Sequence, residues 1–243
     1  MYTTRYTLHG TEIDHTFHLK PMLTASVFHD TFARLSYELE VSALHLQPLG
    51  FSWVLSDMHL EFTGKRPFWR ESYSLTVWVR RNQNVRIFTD FQAFDNQGAE
   101  FARGTSIWLL IDTNTRQPVM NNQVFSKFEV TKREAIPGFR FTSLSEGENT
   151  VASEKQKVNV SDLDFNLHLN SIRYLGGGIE ALGSDFLLKN SVESVTVKYM
   201  KEILCNETIT IEVGSHSRGF IHQMFNAAGD ETCRFLSTWK PIL

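Results

Sequence analysis

Cysteine is nearly absent from the chain. Cys205 and Cys233 are the whole complement in 243 residues, too few for a disulfide scaffold or a zinc cluster. Basic excess is lacking as well: 24 Lys and Arg against 27 Asp and Glu leave a net charge of −3. A dedicated nucleic-acid binder carries the opposite balance, so that class is set aside. There is no charged tail. No long apolar run occurs either, since the longest uncharged stretch, Val41 to Ser56, is interrupted by His45, Gln47, Pro48 and Gly50 and is too short and too polar to span a bilayer. No basic segment followed by an apolar core opens the chain, so no secretory signal is expected. The expectation is a soluble, reduced, cytoplasmic protein.

What is present is a folding composition, 42% hydrophobic and 21% charged, which excludes disorder. The length suits one large domain or two of ~100–130 residues. An internal repeat decides between these. Phe91–Trp108 and His222–Trp239, offset by 131 residues (223 − 92), share Gln92/Gln223, Phe94/Phe225, Gly98/Gly229, Arg103/Arg234, Ser106/Ser237 and Trp108/Trp239. Both copies read as strand, glycine turn, strand, the pattern of a β-hairpin. The chain reads as two copies of one domain.

Each copy has a helical segment ahead of its strands. Phe28, Phe32, Leu35 and Leu39 form one apolar face, with Ser26 or Thr24 as candidate cap. Ile172, Leu175, Ile179 and Leu182 form the other. Gly176, Gly177 and Gly178 fall in the middle of that second helix, and each Gly costs ~1 kcal/mol relative to Ala. A close-approaching sheet backbone or ligand would compensate; a helix break is the alternative. Strands are expected over 52–62, 72–81, 85–94 and 100–111, then 192–199, 208–213, 219–226 and 231–240. One helix followed by antiparallel strands, twice over, is an α+β arrangement. The polar stretch 117–150 reads as a linker over the surface.

The chemistry concentrates in Asp162-Leu163-Asp164-Phe165-Asn166-Leu167-His168-Leu169-Asn170. A calcium loop begins this way but needs Gly at its sixth position and Glu at its twelfth, where this chain has Leu167 and Arg173. A helix cap built from short polar side chains accounts for Asp162 and Asn170. It does not account for His168 alternating with Asp164 and Asn166. Those three can instead converge on a substrate at the helix N-terminus, as carboxylate, amide and imidazole.

The same stretch, followed by Tyr174 and Glu180, closely resembles the D-x-D-x-N-x-H-x-N…Y…E signature of acyl-acyl-carrier-protein (acyl-ACP) thioesterases. Trp53-Val54-Leu55, Met58-His59-Leu60-Glu61, Pro67-Phe68-Trp69, Trp78 and Thr105-Ser106-Ile107-Trp108 are similar to that family too, so the likeness runs over nearly the whole chain. It implies two tandem hot-dog domains, each a long helix wrapped by an antiparallel sheet, fused as an internal pseudo-dimer. The expected boundaries are 1–128 for an acyl-chain-binding domain, 129–147 for a linker and 148–243 for a catalytic domain.

The resemblance further implies that Asp164, Asn166 and His168 are catalytic. The stretch 197–202 resembles the family strand that ends in a catalytic carboxylate, which gives that role to Glu202. Where plant members carry a cysteine next in line, this chain has Ile203, with Cys205 two residues on. A thiolate route therefore lacks its nucleophile, and attack by water is expected, with Glu202 as first choice of base, Asp164 orienting His168, and Asn166 positioning water, base or thioester. Both cysteines are expected as buried apolar residues. Gly177 stands where plant members carry Trp, which either widens the acyl tunnel or leaves room for a Phe.

No metal or organic cofactor is called for, and His15, His18, His216 and His222 lack metal-ligand spacing. The implied partner is acyl carrier protein bearing a fatty acyl chain. Arg80-Arg81, Lys65-Arg66, Lys132-Arg133 and Lys198/Lys201 are candidate docking charges for it. A homodimer of such chains stays open. The first half, with Thr24, Ser26 and His29 near its helix start, is expected to lack the Asp-x-Asn-x-His cluster, leaving one catalytic centre per chain. The competing functions are an acyl-coenzyme A thioesterase, a hot-dog dehydratase or hydratase, whose pattern differs, and a non-catalytic acyl-chain binder.

Overall fold

A computed structural model describes residues 1–242. The chain divides into two compact units, Met1–Arg140 and Phe141 onward. In unit 1, β1 (Tyr2–Thr7) precedes helix α1 (Pro21–Glu38) and the one-turn helix α2 (Ala43–Leu46). Strands β2 (Phe51–Phe62), β3 (Ser72–Gln83), β4 (Arg86–Phe94) and β5 (Glu100–Asp112) follow, then the one-turn helix α3 (Asn122–Phe125). The strands lie in the order β1-β3-β4-β5-β2, every pair antiparallel.

Helix α1 lies across this sheet because its buried face, which includes Ala25, Phe28 and Phe32, meets aromatic side chains from several strands. Phe28 stacks on Phe91 of β4 at 4.1 Å, and Phe32 on Trp108 of β5 at 4.8 Å. Burying each such ring stabilises the unit by about 1.5–3 kcal/mol. The helix begins with Pro21 and has no side-chain cap at Lys20, so Thr24 and Ser26 are interior helix positions rather than caps. Proline supplies the preset φ of a first turn and has no N–H to satisfy. At the other end Glu40 takes a left-handed φ of 58°, and Val41 N–H returns to Ser36 O at 2.8 Å, closing the last turn.

The stretch expected as a surface linker does not wander at its start. Val124, Phe125, Phe128 and Ala135 are buried. Asp90 accepts the Ala135 N–H at 2.7 Å, and Trp78 donates its indole N–H to Arg133 O at 2.9 Å. These apolar residues are spaced too irregularly to be read as an element, yet they cover unit 1.

In unit 2, β6 (Thr150–Lys157) precedes α4 (Ser171–Glu180) and the one-turn helix α5 (Ser184–Leu187). Strands β7 (Asn190–Tyr199), β8 (Thr208–His216), β9 (Gly219–Phe225) and β10 (Glu231–Pro241) complete it. The antiparallel order is β6-β8-β9-β10-β7. Helix α4 is continuous through its glycines. A Cβ on Gly178 would stand 2.6 Å from the Phe235 ring and 3.0 Å from Met224 Cε, whereas one on Gly176 would meet open space. Close approach is thus the reason for Gly178, with sheet side chains rather than sheet backbone as the neighbour.

The repeated segments are the hairpins β4–β5 and β9–β10, and even their contacts repeat. Gln92 bonds Glu100 as Gln223 bonds Glu231. Arg103 and Arg234 each pair with the carboxylate three residues back, Glu100 and Glu231. Each unit is the hot-dog arrangement, a helix laid on an antiparallel sheet. Among the described residues no helix is long and apolar enough to cross a membrane.

Candidate active site

The loop ahead of α4 is held by its own short polar side chains. Asp162 accepts the Asn159 N–H at 2.9 Å, and Asn170 caps α4 by accepting the Ile172 N–H at 2.9 Å. Between them the chain doubles back, with Asp164 N–H donating to His168 O at 2.8 Å and Leu167 N–H to Asp164 O at 3.1 Å. Leu167 accordingly sits at a left-handed φ of 62°. Asp164 Oδ1 accepts the N–H groups of Asn166 and His168 at 2.8 and 3.2 Å. Its contacts therefore run to backbone and build the turn.

Glu202 comes from the segment after β7. That strand stops at Tyr199, three residues short of Glu202, so the carboxylate lies on a loop and Cys205 does not share a strand face with Ile203. Leu169 N–H donates to Ile203 O at 2.8 Å and joins the two loops. This places Glu202 Oε2 at 3.1 Å from His168 Nδ1, with the side chains 43% and 20% exposed. A carboxylate at Nδ1 holds the proton there and leaves the Nε2 lone pair as the basic site. Of the four residues picked from sequence, Asp164, Asn166 and His168 share one turn, and Glu202 is the carboxylate that touches the imidazole. Glu202 contacts the ring at Nδ1, whereas Asp164 accepts backbone N–H groups.

Neither cysteine occupies the position after Glu202, and burial pushes the Cys233 thiol well above its ordinary range. Beside Gly177, a side chain's first atom would meet Gln156 Oε1 at 2.8 Å and Ile211 Cδ1 at 3.3 Å. Strand side chains other than Phe fill that space. Among the described residues no cluster of three or more His, Cys, Asp or Glu could hold a metal ion.

The first half lacks the Asp-x-Asn-x-His cluster, but it carries a variant of that run on a matching turn, with Thr16 in place of the asparagine. Asp14, Thr16 and His18 occupy the same turn: Asp14 N–H donates to His18 O at 2.8 Å, Phe17 N–H to Asp14 O at 3.0 Å, and Phe17 has a φ of 62°. Leu19 N–H donates to Pro67 O at 2.9 Å, as Leu169 does to Ile203. Arg66, immediately before Pro67, stands in the place of Glu202 and donates to Asp14 Oδ2 at 2.7 Å and to Leu19 O. Thr16 Oγ lies 3.0 Å from His18 Nδ1. Burial and the positive Lys65 and Arg66 push the His18 imidazole below its ordinary pKa. The matching offset here is 150 (164 − 14) rather than 131, which is why the hairpin repeat did not reveal it.

Several candidate docking charges are committed elsewhere. Arg80 pairs with Asp90 and Glu134 at 13% exposure, Arg66 with Asp14 at 12%, and Lys201 with Asp230. Arg133 lies over the Trp78 ring.

Comparison with known proteins fits this geometry. The acyl-ACP thioesterase N-terminal domain model matches residues 1–127, and the C-terminal domain model residues 145–241. A chloroplastic dodecanoyl-acyl-carrier-protein hydrolase of Cinnamomum camphora is 24% identical over 224 residues, 83% of this chain and 56% of its own length. A chloroplastic oleoyl-acyl carrier protein thioesterase of Coriandrum sativum is 25% identical over 206 residues, 74% of this chain and 54% of its own. The chain thus spans about half the length of the curated relatives it matches. Among solved structures, an acyl-ACP thioesterase from Bacteroides thetaiotaomicron superposes with a TM-score of 0.86 at 18% identity, covering 98% of this chain and 97% of that one. The 12:0-ACP thioesterase from Umbellularia californica superposes at 0.88 with 16% identity, covering 99% and 97%. With both domain models matched in order along its length, the chain belongs to the acyl-ACP thioesterase family.

Proposed function

We propose that this chain hydrolyses the thioester of a fatty acyl group carried on acyl carrier protein and releases the free fatty acid. The observation that carries this reading is the contact between His168 Nδ1 and Glu202 Oε2 at 3.1 Å on a solvent-reached loop. Glu202 keeps the Nδ1 proton, and Nε2 accepts a proton from water. The hydroxide part adds to the thioester carbonyl carbon, the carbon–sulfur bond breaks, and the imidazolium returns the proton to the departing pantetheine thiolate. Glu202 stabilises the imidazolium in between, and Asn166 is assigned to positioning the water or the carbonyl. Asp164 acts through the turn it builds. Unit 1 is assigned no hydrolytic step, because the Arg66 guanidinium has no lone pair with which to act as base or acceptor. The carrier is inferred from the relatives, whose names specify acyl carrier protein.

The test is thiol release from acyl groups of graded length on carrier protein and on coenzyme A, beside His168→Ala. Turnover on the carrier, lost in the variant, supports the reading. Preference for coenzyme A would remove the carrier and keep the chemistry. Binding of acyl chains with no release from either would overturn hydrolysis.

A further inference from the structure

Two tyrosines tie the loop of His168 to the segment of Glu202. Tyr174, buried in α4, donates its hydroxyl to Lys201 O at 3.3 Å, the carbonyl directly before Glu202. Tyr199, the last residue of β7, donates to Ser171 O at 3.0 Å, at the start of α4 just past the His168 loop. Their rings meet edge to face, 5.7 Å apart at 81°. The helix that continues the His168 loop therefore grips the Glu202 segment, and the strand leading to Glu202 grips the helix. Burial raises the Tyr174 hydroxyl above the usual phenol range, so it stays a donor at any working pH.

Unit 1 shows what these bonds are not for. Its copy of the turn keeps the backbone bonds of Asp14, Phe17 and Leu19. Five residues after Leu19, where Tyr174 follows Leu169, unit 1 has Thr24. Four residues before Pro67, where Tyr199 precedes Ile203, it has Thr63. The turn thus folds without either phenol, and the copy that has Arg66 in place of the carboxylate has neither. The phenols accompany the carboxylate, not the scaffold.

We propose that Tyr174 and Tyr199 are positioning residues that hold Glu202 against His168 Nδ1 for hydrolysis. The proposal deepens the reading above and rests on its assignment of His168 and Glu202. Each phenol acts on a carbonyl next to the site and touches no reacting atom, so its effect must pass through the carboxylate–imidazole contact.

The experiment takes Tyr174→Phe, Tyr199→Phe and the pair, each alone and combined with Glu202→Gln, in the full chain. Acyl-thioester hydrolysis is measured together with the ¹⁵N signals of the His168 ring. The expected result is a kcat lower by about 10- to 100-fold, with KM little changed. In the Glu202→Gln background the same substitutions change the rate by less than about twofold. The ring signals move away from a single Nδ1–H tautomer. Equal losses in both backgrounds with an unchanged ring tautomer would make the tyrosines structural and overturn the proposal. A wild-type chain without turnover would overturn the hydrolytic reading instead. The ¹⁵N signals would then still decide whether the phenols hold the contact, an unchanged tautomer overturning it.

Discussion

Arg66 reaches Asp14 at 2.7 Å, while at the matching place in unit 2 Glu202 reaches His168 at 3.1 Å. The same turn thus presents a guanidinium bound to its own aspartate in one unit and a carboxylate bound to an imidazole in the other. His168→Ala is expected to lower thioester turnover by about 10²–10⁴-fold. His18→Ala is expected to leave it within about twofold, since burial and the positive Lys65 and Arg66 disfavour an imidazolium there. Comparable losses in both variants, measured by thiol release, would show that unit 1 takes part in the chemistry.

Asp164 accepts two backbone N–H groups, a task an amide oxygen can also perform. Asp164→Asn should therefore keep turnover within about tenfold, whereas Asp164→Ala leaves those two donors without their partner, at a cost of about 1–3 kcal/mol for each one kept from water. Side-by-side kinetics and thermal melts of the two variants distinguish acceptor from charge. An Asn variant as inactive as the Ala variant would restore the negative charge to the mechanism.

Two of the three glycines of α4, Gly176 and Gly178, should respond oppositely to alanine. Gly178→Ala pushes a methyl into the Phe235 ring and is expected to destabilise by about 1–3 kcal/mol, as overpacking does. Gly176→Ala meets open space and should stabilise by up to ~1 kcal/mol through helix propensity. Thermal unfolding of the two single variants reads the sign directly.

His222 is buried, stacked on Phe235 at 4.1 Å, with Nε2 2.8 Å from Ser237 Oγ. Burial pushes its pKa down to about 3, against about 6.5 for an unfolded histidine. Between those values the unfolded chain binds a proton that the native ring refuses. Stability from this group is therefore complete above about pH 6.5 and is lost as pH falls toward the native value. The melting temperature should decline on acidification through that window, and His222→Gln should decline less steeply, by up to ~1.4 kcal/mol per pH unit. Parallel slopes in the two proteins would remove His222 from the acid response.

Elements whose side chains repeat a strong pattern were legible. The hairpins 91–108 and 222–239 announce themselves through shared Gly and Trp, and Phe28 and Phe32 mark the face of α1. Strands β1 and β6 were not, because both are polar edge strands: Tyr2–Thr7 alternates only between half-buried and exposed, and Thr150–Lys157 is almost wholly exposed. The Asp14 turn escaped because the offset between units changes along the chain. It is 150 at the turn (164 − 14), 136 at the next loop (203 − 67) and 131 at the hairpin (223 − 92), and α1 has 18 residues against 10 in α4. Arg66 was visible only as one of several basic pairs, since its tie to Asp14 spans 52 positions. For the site, Asp164, Asn166 and His168 could be seen together in one run. Which carboxylate touches the ring depended on the partner loop, which spacing does not reveal.

Phe17 and Leu167 both hold a left-handed backbone, at a φ of 62° in each, a conformation that costs a bulky residue roughly 1–3 kcal/mol. Strain of this kind is often taken as a signpost to an active centre. Phe17 and Leu167 alone would point to two places, one beside a carboxylate–imidazole pair and one beside a guanidinium–carboxylate lock. The cost therefore belongs to the architecture of the turn and was retained wherever the turn was copied. It is the electrical sign of one side chain on the neighbouring loop, Glu202 or Arg66, that tells the two turns apart.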